Sequence, residues 1–334
     1  MKVSVIAGER VETRWMDPLL RGLDLPLHEA YYPLGYRAEI TTNSPDVLEA
    51  AAESWGGYHP EFECQPVNLR IVVQPEGAHA GEPVFRQQGH LVSIVSDREN
   101  FMVGDLHTLG GCGFVTRQTA ADHAWFRWFF LEAIVQIGLE QRYTATVHAA
   151  CVARNDAGVL LCGASGSGKS TLAYACARAG WTYVSDESAH LLLDGAAGAV
   201  LGKPHQVRFR TDAGLLFPEL RQFPAKVRPS GKISVEVSTC QLPQIRTAFR
   251  CQIGSVVFLA RSPGRGARFE RVPKTEAVAA LLSEKPFFGE EAWVRHEAAV
   301  RRLAELPTYR LEYDQLDRAV EVLCGLVPLQ SERR

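Results

Sequence analysis

Residues 163–170 read GASGSGKS, an unbroken match to the pattern GxxxxGK[ST]. No other stretch restricts the fold as strongly. A loop that wraps a phosphate turns its backbone N–H groups inward, and side chains at Gly163, Gly166 and Gly168 would obstruct that. The pattern has meaning only between a strand and a helix. Gly158–Cys162 (GVLLC) supplies an apolar strand before it. Lys169–Arg178 reads as a helix carrying Leu172, Ala173, Cys176 and Ala177, and Gly180 stops it. The chain must therefore contain an α/β unit whose sheet aims one strand at an anion.

The chemistry expected of each position follows. Gly163, Ala164, Ser165, Gly166, Ser167, Gly168, Lys169, Ser170 and Thr171 would bind the nucleotide's phosphates, Lys169 bringing a point charge to the outer oxygens and the helix that starts near Gly168 turning its positive end toward them. The Ser170 hydroxyl is the expected ligand for Mg2+. After Gly180 the chain reads WTYVSDES, a buried strand over Trp181–Val184 that ends in Asp186-Glu187. Carboxylates at the carboxyl end of a neighbouring strand are where a metal ligand or a catalytic base sits in phosphate-loop proteins. Asp186 is the second expected metal ligand. Upstream, Thr144–Ala153 reads as a strand and forms a hairpin with Gly158–Cys162 across the turn beginning at Asn155. A lone histidine in an apolar strand is ordinarily a core residue. If the two strands pair, however, His148 reaches the same end of the sheet.

The segment VHAACVARNDAGVLLCGASGSGKSTLAYACARAGWTYVSDES resembles the kinase domain of HPr kinase/phosphorylase, and more closely the HPr-kinase-related kinases. His148 stands 21 residues before Lys169 and Asp186 stands 17 after it, both as in that family. The resemblance covers about residues 143–190. It implies a phosphoenolpyruvate-carboxykinase-like mixed sheet, ATP and Mg2+ as cofactors, an oligomer, and a base role for Glu187 with His148 orienting it. Asp186, Glu187, His148 and Lys169 are then the catalytic set. The chain departs from the family in having Asp186-Glu187 for Asp-Asp and Ser170-Thr171 for Ser-Glu, and Val227–Val237 (VRPSGKISVEV) matches the family's second signature poorly. Reverse phosphorolysis and HPr itself as substrate are therefore not implied.

The rest of the chain sets limits. At 334 residues it has the length of about two domains. Residues 1–119 read as an α+β region with strands at Lys2–Ile6, Arg37–Thr41, Asn68–Val73, Leu91–Ser96 and Phe101–Gly104, and a helix at Ser44–Trp55 with Pro45 at its first position. This region is the expected source of acceptor specificity. Residues 120–334 hold the phosphate loop, opening with an aromatic-rich helix over Asp122–Gln141 that reads as a packing face. A strand at Ser255–Arg261 and a strand–helix at Tyr309–Leu326 close it. Arg261–Arg271 reads as a solvated hairpin turn, and Lys203, Arg208, Arg210, Arg228 and Lys232 are candidate cations for the substrate.

A formal charge of −2 argues against a nucleic-acid binder, and no apolar run approaches a membrane span or a secretory leader. Eight scattered cysteines without a CxxC pair suit reduced thiols and a cytoplasmic setting. The expectation is an ATP-dependent kinase acting on a hydroxyl of a protein, peptide or small metabolite. The alternative is a nucleotide-dependent regulatory ATPase, for which Ser170-Thr171 is also common.

Overall fold

A computed structural model describes residues 23–327 except 197, 265 and 284–288. The expected strand Lys2–Ile6 lies outside the described residues. The fold is mixed α/β. Seven strands make the first sheet: β1 (Leu27–Tyr31), β2 (Ala38–Thr42), β3 (Val67–Gln74), β4 (Val84–Gln88), β5 (Leu91–Val95), β6 (Phe101–Asp105) and β7 (Gly110–Thr116), in the order β1-β2-β3-β7-β6-β5-β4. The helix α1 (Pro45–Trp55) buries Val47, Ala50, Ala51 and Trp55.

After β7 come α2 (Arg117–Ala121) and a helical run built from α3 (His123–Phe126), a π-helical turn (Arg127–Leu131) and α4 (Glu132–Arg142). Its aromatic residues do pack. Phe126, Phe130, Leu131 and Ile134 share one buried cluster with Ile40, Leu69, Ile71 and Met102 of the first sheet. The same cluster takes in Leu192, Ala199 and Leu201. One continuous core thus spans positions 119 and 120.

The second sheet has ten strands: β8 (Thr144–Val147), β9 (Ala150–Arg154), β10 (Ala157–Cys162), β11 (Thr182–Ser185), β12 (Ala189–Leu192), β13 (Ala199–Leu201), then, beyond a small three-stranded sheet, β17 (Arg246–Thr247), β18 (Arg250–Arg261), β19 (Arg268–Arg271) and β20 (Thr308–Tyr313). The small sheet holds β14 (Gln206–Phe209), β15 (Ala225–Val227) and β16 (Ile233–Ser238) in the order β14-β16-β15. Phosphate-loop strand β10 runs antiparallel to β9 and parallel to β18, so the sheet is mixed. Val159 and Leu161 face one apolar cluster and Leu160 faces another, which explains the unbroken apolar run in the sequence.

Two expectations change here. The strand read as Thr144–Ala153 is two strands. β8 pairs with β12 (Val147 opposite Ala189), and β9 pairs with β11 (Cys151 opposite Ser185). One ribbon therefore opens in its middle, because β9 and β11 follow β10 while β8 and β12 follow β13. The Arg261–Arg271 segment turns the chain, but it is not a hairpin between its flanking strands. β18 and β19 both pair with β20 instead.

Candidate active site

The opening in that ribbon holds His148 and Ala149 on one side and Asp186, Glu187 and Ser188 on the other. The hydroxyl of Ser185 donates to the Ser188 carbonyl and closes the acidic turn. β10 and β11 both run antiparallel to β9, which lies between them, so their carboxyl ends fall on one edge. Two strand spacings put the glycine loop and the acidic turn about 10 Å apart along that edge. The start of β9, just after His148, lies between them.

The loop's glycines are needed where they stand. Gly163, Gly166 and Gly168 have φ of 144°, 89° and 95°. A Cβ on Gly163 would come within 2.8 Å of the Leu259 carbonyl oxygen. One on Gly166 would meet the Arg210 guanidinium at 2.6 Å, which places that cation over the loop. Tyr313 Oη donates to the Ser167 carbonyl at 3.0 Å and fixes the loop from below. α5 (Lys169–Arg178) starts on Gly168 without a side-chain cap, so its first N–H groups face the loop. Lys169 is buried and its Nζ donates to the Gly163 carbonyl at 2.6 Å. The loop thus gathers inward donors and cations around one point.

The two acids differ. Asp186 is buried, and one of its carboxylate oxygens accepts the Arg208 backbone N–H at 2.7 Å. Burial pushes its carboxyl up to about 6, against the opposing pull of Arg208. Glu187 opens further toward solvent. Burial acts to raise it, but Arg208 and Arg228 overcome this and hold it below the usual carboxylate range. Arg208 donates to one Glu187 oxygen, and Arg228 Nη1 lies 3.3 Å from the other. Both guanidinium groups also reach Glu236, at 3.0 and 3.5 Å. Arg228 in addition stacks over Trp128 at 4.7 Å. The groups holding Glu187 are these arginines, and His148 is not among them.

A cleft of about 700 Å³ opens in front of the acids. Its walls come from the first sheet's connections (Leu34, Trp55, Tyr58), the π-helical turn (Arg127, Trp128) and the acidic turn, with His148 at its edge. Tyr58 packs edge-on against His205 at 4.7 Å, joining the two halves. A second cavity of about 420 Å³ also touches His148, together with Gly163, Ala164, Phe258 and Arg310. His148 therefore stands between the loop and the cleft. Of the candidate cations, Lys203 and Arg208 line the cleft, Arg228 grips Glu187, and Arg210 covers the loop; Lys232 joins none of them. Sequence reading missed Glu132, Arg127, Glu236 and Tyr313. Tyr313 reaches the loop across 146 residues of chain, Arg127 and Glu132 meet Glu53 and Ser54 across more than 70, and Glu236 comes from the small sheet, so no local motif marks them.

No protein-family model matches the chain, and no curated protein matches it. Among solved structures, the Hpr(Ser) kinase/phosphatase from Coxiella burnetii is similar over 54% of this chain and 90% of its own, at 11% identity and a TM-score of 0.29. That likeness is loose, so the site's own geometry has to carry its chemistry. No helix among the described residues is long and apolar enough to cross a membrane.

Proposed function

We propose that the chain is an ATP-dependent phosphotransferase that moves a γ-phosphate to a hydroxyl group, in a phosphate-loop fold of the HPr-kinase-related kind. The observation that carries this is one sheet edge. It gathers a glycine loop with a buried lysine, a buried carboxylate, a second carboxylate and a histidine, in front of a cleft large enough for a second substrate. Residues fit the nucleotide. The loop's inward N–H groups and Lys169 suit its phosphates, and the Ser170 hydroxyl with the Asp186 carboxylate suits Mg2+. Burial raises the Asp186 carboxyl toward 6, and a bound cation would favour its charged form.

Bound Mg2+·ATP supplies the phosphoryl group and the charge that neutralises its transfer. The residues of the chain do the rest. Lys169 and Arg210 hold developing negative charge on the transferred group. Glu187 orients the acceptor hydroxyl and takes its proton as the new P–O bond forms and the bond to ADP breaks. The two arginines make Glu187 a weak base at rest. That suffices for a loose transition state, in which positioning outweighs proton removal. His148 lines both cavities and so borders both substrates.

The test follows γ-labelled ATP with the full chain, Mg2+ and a cell extract split into protein and small-molecule fractions, beside Lys169→Ala. Label entering one fraction with the unaltered chain only supports the transferase and names its acceptor class. Label found only as free phosphate makes the protein a nucleotide-hydrolysing regulator and ends the kinase reading.

A further inference from the structure

The charges facing the cleft are almost all paired among themselves. Arg127 reaches Glu53 at 2.8 Å and Glu132 at 3.3 Å, and Ser54 Oγ donates to Glu132 at 2.7 Å. Glu53 also accepts from His123 at 2.7 Å. Arg208 spans Glu187 and Glu236, and Asp186 holds the Arg208 N–H. Lys203 is the exception. Among the described residues it forms no ion pair, and its ammonium meets one distant acceptor, Gln136 Oε1 at 3.4 Å. That amide is itself committed on its nitrogen side, to Glu140 at 2.7 Å and Thr146 at 3.1 Å. Lys203 is solvent-exposed and lines the cleft.

Glu132, Glu187 and Glu140 act on that ammonium through space, without contact. Those three carboxylates already have donors of their own. The lysine therefore presents unfilled hydrogen-bonding capacity, three donors on a point charge, to whatever enters the cleft.

We infer that Lys203 is the seat of an anionic group on the second substrate, so that the acceptor is a hydroxyl compound bearing a carboxylate or phosphate. The word acceptor rests on the phosphotransferase reading; the anion seat itself is read from the cleft. The anion would dock on Lys203 while the hydroxyl turns toward Glu187, with Trp55, Tyr58 and Trp128 enclosing the body of the molecule. An uncharged polyol would leave the ammonium unpaired and the cleft wet. Discrimination in favour of the anion therefore follows from electrostatics and not from shape.

The probe is malonate, titrated calorimetrically into the full chain, into Lys203→Met and Lys203→Arg, and into Lys169→Ala. The expected result is malonate binding to the unaltered chain and to Lys169→Ala alike, weakened at least tenfold in Lys203→Met and partly restored in Lys203→Arg. Near-ultraviolet circular dichroism checks that Lys203→Met is folded. Should that variant lose its fold, Lys203→Arg against Lys203→Gln makes the same comparison. Equal binding with and without Lys203, binding lost only in Lys169→Ala, or no binding to the unaltered chain would each overturn the inference. Loss with Lys203→Met in a protein that transfers no label from ATP would uphold the anion seat and reject the phosphotransferase reading instead.

Discussion

Asp186 should be a destabilising residue at neutral pH, and removing its charge should stabilise the protein. Its carboxyl is raised from an ordinary 3.8 to about 6, chiefly by burial. The folded state therefore binds this proton more tightly than the unfolded chain does. Below pH 4 both states are protonated and nothing is lost. Between about 4 and 6 ionisation becomes progressively dearer in the folded state, and above about 6 the whole penalty applies. Two pKa units correspond to about 3 kcal/mol near pH 7.5, falling to about 1 kcal/mol near pH 4.5. Asp186→Asn keeps the shape and keeps an oxygen for the Arg208 N–H, which now lies 2.7 Å away.

Urea unfolding in metal-free buffer should then show Asp186→Asn more stable by about 2–3 kcal/mol at pH 7.5, with the gap closing by about 2 kcal/mol on acidification to 4.5. Adding Mg2+ and a non-hydrolysable ATP analogue should reverse the order, because only the carboxylate gains from the cation. A gap of constant size across pH would mean that the amide changes packing and not charge. No gap at all would mean that Arg208 already compensates the buried carboxylate, and the argument that burial raises Asp186 would fail.

Three further outcomes are expected. Glu187→Gln should lower transfer from ATP by 100-fold or more while leaving nucleotide affinity within threefold, read by labelled transfer and by equilibrium binding; full activity would move the base elsewhere. Gly168→Ala combines a φ of 95° with a Cβ that collides with Tyr313 Oη, so nucleotide binding should fall steeply. The added change Tyr313→Phe should recover only the steric part, and complete recovery would show that φ is not a constraint. Deleting residues 1–119 would bare Phe126, Phe130, Leu131 and Ile134, at about 2 kcal/mol each. The fragment 120–334 should therefore be insoluble or molten by near-ultraviolet circular dichroism, and a cooperative melt would refute the shared core.

What could be read from the sequence were features whose cause is local. The glycine loop needs positive φ and an inward backbone, and those needs are written in its residue types. α1 announces itself with Pro45 at its start and ends where expected at Trp55. The aromatic run over 125–130 reads as a packing face, and Phe126, Phe129 and Phe130 are buried in the core while Trp128 turns to the cleft. β1 and β4 could not be read so easily: LHEAY and VFRQQ carry little apolar content because their outer faces are wet, and β4 lies at the sheet edge.

The site's second layer was illegible for a different reason. Nothing near His148 breaks the strand: the residues are Val147, Ala149 and Ala150, without glycine or proline. The ribbon opens there because its two halves join different neighbours in the sheet, a fact of topology and not of propensity. That opening makes the site. A continuous ladder through 148–149 and 186–188 would bind the acidic turn's backbone into the sheet and give its side chains the strict alternation of a strand, one face up and one down. Because the ladder parts, the neighbours Asp186 and Glu187 take different surroundings. Asp186 folds back onto the Arg208 backbone and is raised, while Glu187 swings out to Arg208 and Arg228 and is lowered. Two adjacent carboxylates thereby acquire opposite proton affinities, Asp186 the higher because it is buried and Glu187 the lower because two arginines hold its charge.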